Sequence, residues 1–145
     1  MLEWEVHLLL CCRLRKVGEK MSMNTPFVLI VEDDTELSEI FAFILQAADL
    51  QTEVVRDGLL ALNRIKETLP DLIILDMHLP NVSGATILTQ LRQEPQLTGI
   101  KVVIVTADAM IARACEDQAD MVLLKPVSFD QISKLPIRLL SGSQC

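Results

Sequence analysis

Polar and charged side chains come directly after four apolar runs of this sequence. They are Glu32, Asp33 and Asp34; Asp76; Thr106 and Ala107; and Lys125 with Pro126. Carboxylates grouped with a hydroxyl and one lysine suit a hard cation and a phosphoryl group, because Mg²⁺ binds oxygen ligands from one or two carboxylates and from phosphate. This chemistry requires that the four runs end at the same place in the fold.

Asp76 ends the most apolar of these runs. Residues 72–75 are all aliphatic, as in a strand that is buried on both faces. Pro80 and Gly84 then interrupt regular structure. Open α/β sheets bind ligands at the carboxyl ends of their strands. On this pattern alone Asp76 is a metal ligand, a nucleophile or a structural cap.

The apolar runs alternate with stretches of helical periodicity, which predicts one parallel sheet with helices on both faces. We expect strands at 27–31, 52–55, 72–75, 100–105 and 121–124. We expect the first helix to be capped by Thr35, and the turn before the second to be Asp57 and Gly58. The fourth helix is predicted to be short, at about 109–118, and the last one, from Phe129, to be interrupted or bent at Pro136.

Length and charge narrow the class of protein. The chain has 145 residues, which suits one domain with a real core, and a net charge of −7, which argues against nonspecific binding to nucleic acid. None of the four cysteines forms a C-x-x-C pair, so we expect reduced thiols in a cytoplasmic protein.

Residues 1–23 differ from the rest, and we assign the domain to residues 24–142. The apolar run from Val6 to Cys12 is too short to span a membrane, which takes about 20 residues. Its basic residues follow it, unlike those of a signal peptide. Three interpretations stay open: an added or misassigned N-terminus, a short amphipathic helix that docks on a partner or a second copy, and contact with a membrane.

Taken together, the motifs resemble the receiver domain of two-component response regulators, from Thr25 to Leu140. The family's acidic pair is matched by Glu32 and Asp33, its phosphoacceptor motif by Asp76, Leu79, Pro80 and Gly84, its Thr/Ser-Ala pair by Thr106 and Ala107, and its Lys-Pro pair by Lys125 and Pro126. The resemblance implies a flavodoxin-like, doubly wound fold with a five-stranded parallel sheet in the order 2-1-3-4-5.

The resemblance also implies a mechanism. Asp76 would take a phosphoryl group from a phosphohistidine of a sensor histidine kinase or a phosphotransfer protein, forming an aspartyl phosphate. The residues implied to contact the phosphoryl group are Thr106, Ala107 and Lys125. Those implied to hold Mg²⁺ are Glu32, Asp33, Asp76 and the main-chain carbonyl of His78. His78 and Asp108 would border the path of hydrolytic water and modulate the lifetime of the phosphate.

Three features depart from the pattern of the family. The aromatic residue that usually stands three positions before the lysine, the switch position, is Val122 here. The segment between Thr106 and Lys125 is shorter than usual, and the last helix contains Pro136. All three features fall on the surface formed by the fourth helix, the fifth strand and the last helix. Since such domains commonly signal or dimerise through this surface, we expect a monomer or a weak homodimer.

The first interpretation is therefore a stand-alone receiver that is phosphorylated but is not a turnover enzyme. It would signal through contacts with a downstream protein and would not bind nucleic acid or a membrane directly. A second interpretation is an interaction module of receiver fold that works without phosphorylation. A third is a small phosphatase-like enzyme that uses Asp76.

Overall fold

In the computed structural model, which describes residues 25–140, five strands alternate with helices. The strands are β1 (Phe27–Val31), β2 (Gln51–Val55), β3 (Leu72–Asp76), β4 (Lys101–Thr106) and β5 (Met121–Leu124). The helices are α1 (Thr35–Ala47), α2 (Gly58–Thr68), α3 (Gly84–Gln93), α4 (Ala109–Cys115), α5 (Phe129–Ser133) and α6 (Leu135–Leu139). The predictions for residues 1–23 lie outside this part of the chain.

The strands form one parallel sheet in the order β2-β1-β3-β4-β5, which confirms the predicted fold. The order of the strands reverses between β1 and β3, so the carboxyl ends of these two strands flank the crevice where such folds bind ligands. Asp76 pairs in register with Val105, and Thr106 with Leu124. Every strand therefore delivers its last residue to the same edge of the sheet.

Aliphatic packing on both faces of the sheet holds this edge in place. One face packs against α2, α3 and α4 through residues such as Leu29, Ile73 and Ile65. The other packs against α1 and α5 through residues such as Ile30, Ile74 and Phe41. All residues of β1 and β3 are buried, so these two strands form a rigid support for the polar groups that follow them.

Two predictions about helix starts were wrong. Asp34, not Thr35, is the N-cap of α1: its Oδ1 accepts a hydrogen bond from Leu37 N at 2.9 Å. Asp57 is the N-cap of α2, where a plain turn was predicted, and Gly58 is the first residue of that helix. Both aspartates accept from the unpaired N–H groups of a first helical turn, a role that aspartate favours.

The fourth helix and the interruption at Pro136 follow the sequence prediction more closely. α4 has seven residues and ends at Cys115, three residues before the predicted end, because Glu116 N and Gln118 N bond three residues back, to the carbonyls of Arg113 and Cys115. The predicted interruption at Pro136 is a boundary between two short helices, with the proline in the first turn of α6. Proline suits the first turn of a helix because the N–H groups of that turn form no hydrogen bonds within the helix, so the missing N–H of proline costs nothing there. Between residues 25 and 140 no helix is long and apolar enough to cross a membrane.

Gly58 is expected to be indispensable for the packing of α2 against the loop between β3 and α3. A Cβ at this position would collide with the backbone carbonyl of Val82. We therefore expect Gly58→Ala to lower the free energy of unfolding by about 1–3 kcal/mol, as overpacking does. Gly99→Ala is the matched control, because a Cβ there would meet nothing within 4 Å. Equal melting temperatures for the two variants would contradict this account of the loop.

Candidate functional site

The carboxyl edge of the sheet brings four predicted site residues together. Glu32 and Asp33 follow β1, Asp76 ends β3, and Lys125 follows β5. Glu32, Asp33 and Asp76 each place a carboxylate oxygen within 4.8 Å of the other two. The acidic cluster predicted from the strand ends is therefore present in the structure.

Two of the three acidic side chains in this cluster are almost fully buried. Glu32 is 1% exposed and Asp76 is 3% exposed, whereas Asp33 is open to solvent. Glu32 is fixed from both ends: its N–H donates to the Val55 carbonyl at 3.1 Å, and its Oε2 accepts from Asp34 N at 3.2 Å. The pocket thus has a buried floor and one solvent-facing acid at its rim.

Lys125 supplies the positive charge at this pocket. Its Nζ lies 3.4 Å from Asp76 Oδ1, to which it donates a hydrogen bond, and 3.3 Å from Glu32 Oε1. The backbone places it there, because Lys125 N donates to the Thr106 carbonyl at 2.8 Å and extends the pairing of β4 with β5. The peptide bond from Lys125 to Pro126 is cis.

Burial disfavours the charged form of both buried carboxylates, and a neighbouring carboxylate adds to this effect: Asp76 for Glu32, and Asp33 for Asp76. Burial raises the pKa of Glu32 above its ordinary value, and the charge of Asp76 raises it further, against the opposing effect of Lys125. Burial likewise raises the pKa of Asp76, with Lys125 and the backbone N–H of His78 acting in the opposite direction. Burial lowers the pKa of Lys125, but the charges of Glu32 and Asp76 outweigh it and the net shift is upward. The pocket therefore favours an additional positive charge.

The donor set fits a hard divalent cation. The three carboxylates offer oxygen ligands, and with Lys125 they leave the pocket with two uncompensated formal negative charges. Glu32 Oε1 is buried and, within residues 25–140, has an ion-pair contact with Lys125 but no hydrogen bond. A buried oxygen without a hydrogen bond is costly unless something else binds it. The exposed Asp33 leaves an open side on which a cation could keep its waters.

Thr106 and its neighbours lie at the end of β4, the strand next to Asp76. Thr106 is fully buried, and its hydroxyl oxygen accepts a hydrogen bond from Asp108 N at 3.1 Å. Ala107 is exposed. The Asp108 carboxylate is the N-cap of α4, with Oδ1 accepting from Met110 N at 2.8 Å. The structure therefore gives Asp108 a structural contact that sequence reasoning missed; its modulating role stays a prediction.

The two remaining predicted residues lie at the margins of the site. The His78 side chain is exposed, two residues after Asp76. Val122, at the switch position, is half-buried and packs against the core on the α2–α4 face. It pairs in register with Ile104. A valine in this position has no ring that could rotate between a buried and an exposed state.

A contact that sequence reasoning missed fixes the loop after Asp76. The Asn81 side chain donates to Asp57 Oδ2, and Gly58 N donates to the Pro80 carbonyl at 3.1 Å. The loop between β3 and α3 is therefore attached to the start of α2. The one signal in the sequence was Asp57, since aspartate is a favoured N-cap residue; nothing in the sequence indicated its contact with Asn81.

These features define the class of protein as a doubly wound α/β domain. Its acidic pocket lies where the strand order reverses, between β1 and β3. Residues 28–135 match the model of the response regulator receiver domain. The chain belongs to this family, whose members are signalling proteins of two-component systems.

Relatives and solved structures agree with this family. The polar-differentiation response regulator DivK of Brucella ovis is 36% identical over 107 residues, which is 72% of this chain and 87% of DivK. The DNA-binding response regulator MtrA of Mycobacterium leprae is 33% identical over 102 residues, which is 68% of this chain and 44% of MtrA. The chain therefore matches less than half the length of MtrA. The signal receiver domain of a histidine kinase from Syntrophus aciditrophicus is 34% identical, with a TM-score of 0.75 over 81% of this chain and 92% of that one.

Proposed function

We propose that this chain accepts a phosphoryl group on Asp76 from a phosphohistidine of a sensor histidine kinase or a phosphotransfer protein. The observation that carries the proposal is the buried Asp76 carboxylate, which faces Lys125 and shares its pocket with Glu32 and Asp33. In the reaction an Asp76 carboxylate oxygen attacks phosphorus and forms a P–O bond. The P–N bond breaks, and its electron pair returns to the imidazole nitrogen.

The residues around Asp76 have separate roles in this proposal. Lys125 Nζ, already within 3.4 Å of Asp76, pairs with the phosphoryl oxygens. The Thr106 hydroxyl accepts from Asp108 N, so its own proton can be donated to a phosphoryl oxygen. Ala107 has a small side chain that leaves room for the group and a backbone N–H that can bind it. Phosphoryl transfer needs mainly such positioning and charge stabilisation.

Mg²⁺ is the proposed cofactor, held by Glu32, Asp33, Asp76 and the main-chain carbonyl of His78. When bound it neutralises negative charge on the carboxylates and the transferred group. The support for this proposal is the close approach of the three carboxylates and the buried Glu32 Oε1, which has no hydrogen bond within residues 25–140. His78 and Asp108 are proposed to modulate hydrolysis, because both stand two residues beyond a residue of the pocket.

A second candidate function is binding to a partner protein without phosphorylation. It is favoured by Val122 at the switch position and by the short α4 of seven residues. Both features belong to the surface through which such domains commonly signal phosphorylation to a partner, and Val122 has no ring that could rotate. The two candidates differ in whether Asp76 reacts. Under the first, a downstream protein distinguishes the phosphorylated from the unphosphorylated form; under the second, it does not.

Binding of beryllofluoride separates the two candidates. This phosphoryl mimic is expected to give a bound resonance in fluorine NMR when Mg²⁺ is present, and none in excess chelator. Asp76→Asn and Asp33→Asn should abolish the bound signal. Asp34→Asn should keep it, since it makes the same charge change one residue away and asparagine remains a good N-cap. A wild-type protein that binds no beryllofluoride would leave only the second candidate.

A further inference from the structure

An apolar groove runs between α1 and the start of α5 on the face of the molecule beside Lys125. It has a volume of about 670 Å³, and Val127 and Ser128, which follow the Lys-Pro pair, form part of its wall. Three large apolar side chains at its surface are mostly exposed: Ile40 at 53%, Phe43 at 70% and Phe129 at 64%. A contiguous apolar surface of this kind usually marks a binding site.

The groove also carries negative charge. Glu36 and Glu39 lie on α1 along its wall, and both are exposed. Within residues 25–140 neither forms an ion pair, whereas Asp130 nearby is paired with Lys134 at 3.0 Å. An occupant of this groove should therefore combine large apolar side chains with basic ones.

We propose that the occupant is the amino-terminal segment of the same chain, residues 4–20. Its sequence has the required chemistry. Trp4 and the apolar run from Val6 to Cys12 are followed by four basic residues, Arg13, Arg15, Lys16 and Lys20. The apolar run matches the exposed Ile40, Phe43 and Phe129, and the basic residues match Glu36 and Glu39.

The connection is long enough for this contact. Twelve residues, 13–24, separate the apolar run from Thr25, and an extended chain of that length spans about 40 Å. Thr25 lies before β1, and the groove lies near the other end of that strand. A five-residue strand is only about 17 Å long, so the connection is longer than the distance along β1 that it must cover. An intramolecular contact of this kind also has a high effective concentration, which compensates for modest affinity.

Docking of the segment would cover the flank of the pocket on the α1 side. The groove wall begins two residues after Lys125 and, on α1, four residues after Glu32. The segment would therefore restrict the approach of other proteins to that flank. The proposed contact lies within the chain and does not depend on whether Asp76 is phosphorylated.

Fluorescence of Trp4 tests the proposal, because it is the one tryptophan in the chain. In the full-length wild type we expect emission at shorter wavelength than that of tryptophan in water, and protection from acrylamide quenching. Phe43→Ser should shift emission to longer wavelength and remove the protection. Leu60→Ser is the control: it replaces an apolar residue that is 59% exposed on α2, away from the groove, and should leave emission unchanged.

Charge reversal gives a second test with a built-in rescue. Glu39→Lys should shift Trp4 emission to longer wavelength, and adding Arg13→Glu should restore at least part of the wild-type emission. Emission typical of water in the wild type, or protected emission that Phe43→Ser and Glu39→Lys leave unchanged, would overturn the proposal. Protection that disappears on dilution would also overturn it, in favour of docking on a second copy, as would protection that needs lipid vesicles.

Discussion

Asp76→Asn is expected to eliminate phosphoryl uptake and, at the same time, to make the Mg²⁺-free protein more stable. Asparagine has no nucleophilic carboxylate, so no acyl phosphate can form. Its neutral side chain also ends the repulsion between Asp76 and Glu32. Like charges about 4 Å apart repel by roughly 4 kcal/mol at an effective dielectric constant near 20, and Lys125 offsets part of this. We expect a gain of about 1–2 kcal/mol in the free energy of unfolding, measured by urea denaturation in chelator.

The gain from Asp76→Asn should depend on pH with a defined sign. Burial raises the folded-state pKa of Asp76, so ionisation of this residue costs stability. Below the ordinary pKa of an aspartate the wild-type residue is neutral in both states, and the variant should have no advantage. The advantage should appear as the pH rises through the raised pKa. A variant less stable than the wild type at neutral pH would contradict the electrostatic account of the pocket.

Mg²⁺ is expected to raise the melting temperature of the wild type, and Asp33→Asn to remove most of the rise. A ligand that binds only the folded state at ten times its Kd adds about 1.4 kcal/mol. For a domain of this size that corresponds to about 3–6 °C. Asp33 is the exposed acid of the cluster, so its replacement removes a ligand without disturbing the core. Differential scanning fluorimetry with and without millimolar Mg²⁺ measures both effects.

Asp34→Asn is the matched control for the Mg²⁺ experiment. It changes the charge by the same amount one residue away, and its amide oxygen can still accept the hydrogen bond from Leu37 N. Its response to Mg²⁺ should equal that of the wild type. If the two variants responded equally, the effect of Mg²⁺ would come from general screening of the acidic surface and not from a site.

The site could be predicted from the sequence because it depends on strand ends. An uninterrupted aliphatic run such as Leu72 to Leu75 indicates a strand buried on both faces, and the first polar residue after it must emerge at the edge of the sheet. Since parallel strands expose their carboxyl ends together, the order of the apolar runs predicts that Glu32, Asp76 and Lys125 share one pocket, as they do in the structure.

Two kinds of contact could not be predicted from the sequence. In one, two neighbouring residues are equally suited to the same role; in the other, the residues in contact are far apart in the chain. Asp34 and Thr35 are both good N-caps, and only the backbone path after β1 decides for Asp34. The close approach of Gly58 to the Val82 carbonyl depends on how α2 packs against the loop after β3, which no local pattern records. The orientation of Asp108 toward α4 likewise depends on where that helix begins.

The most direct test of the central claim is to locate the phosphoryl group chemically. The protein is incubated with acetyl phosphate and Mg²⁺ and then reduced with borohydride, which converts an aspartyl phosphate to homoserine. Peptide mass mapping identifies the modified residue. We predict homoserine at position 76 in the wild type and in Asp34→Asn, and none when Mg²⁺ is chelated or in Asp76→Asn. Phosphorylation at a different residue, or undiminished phosphorylation of Asp76→Asn, would contradict the assignment of Asp76 as the phosphoacceptor.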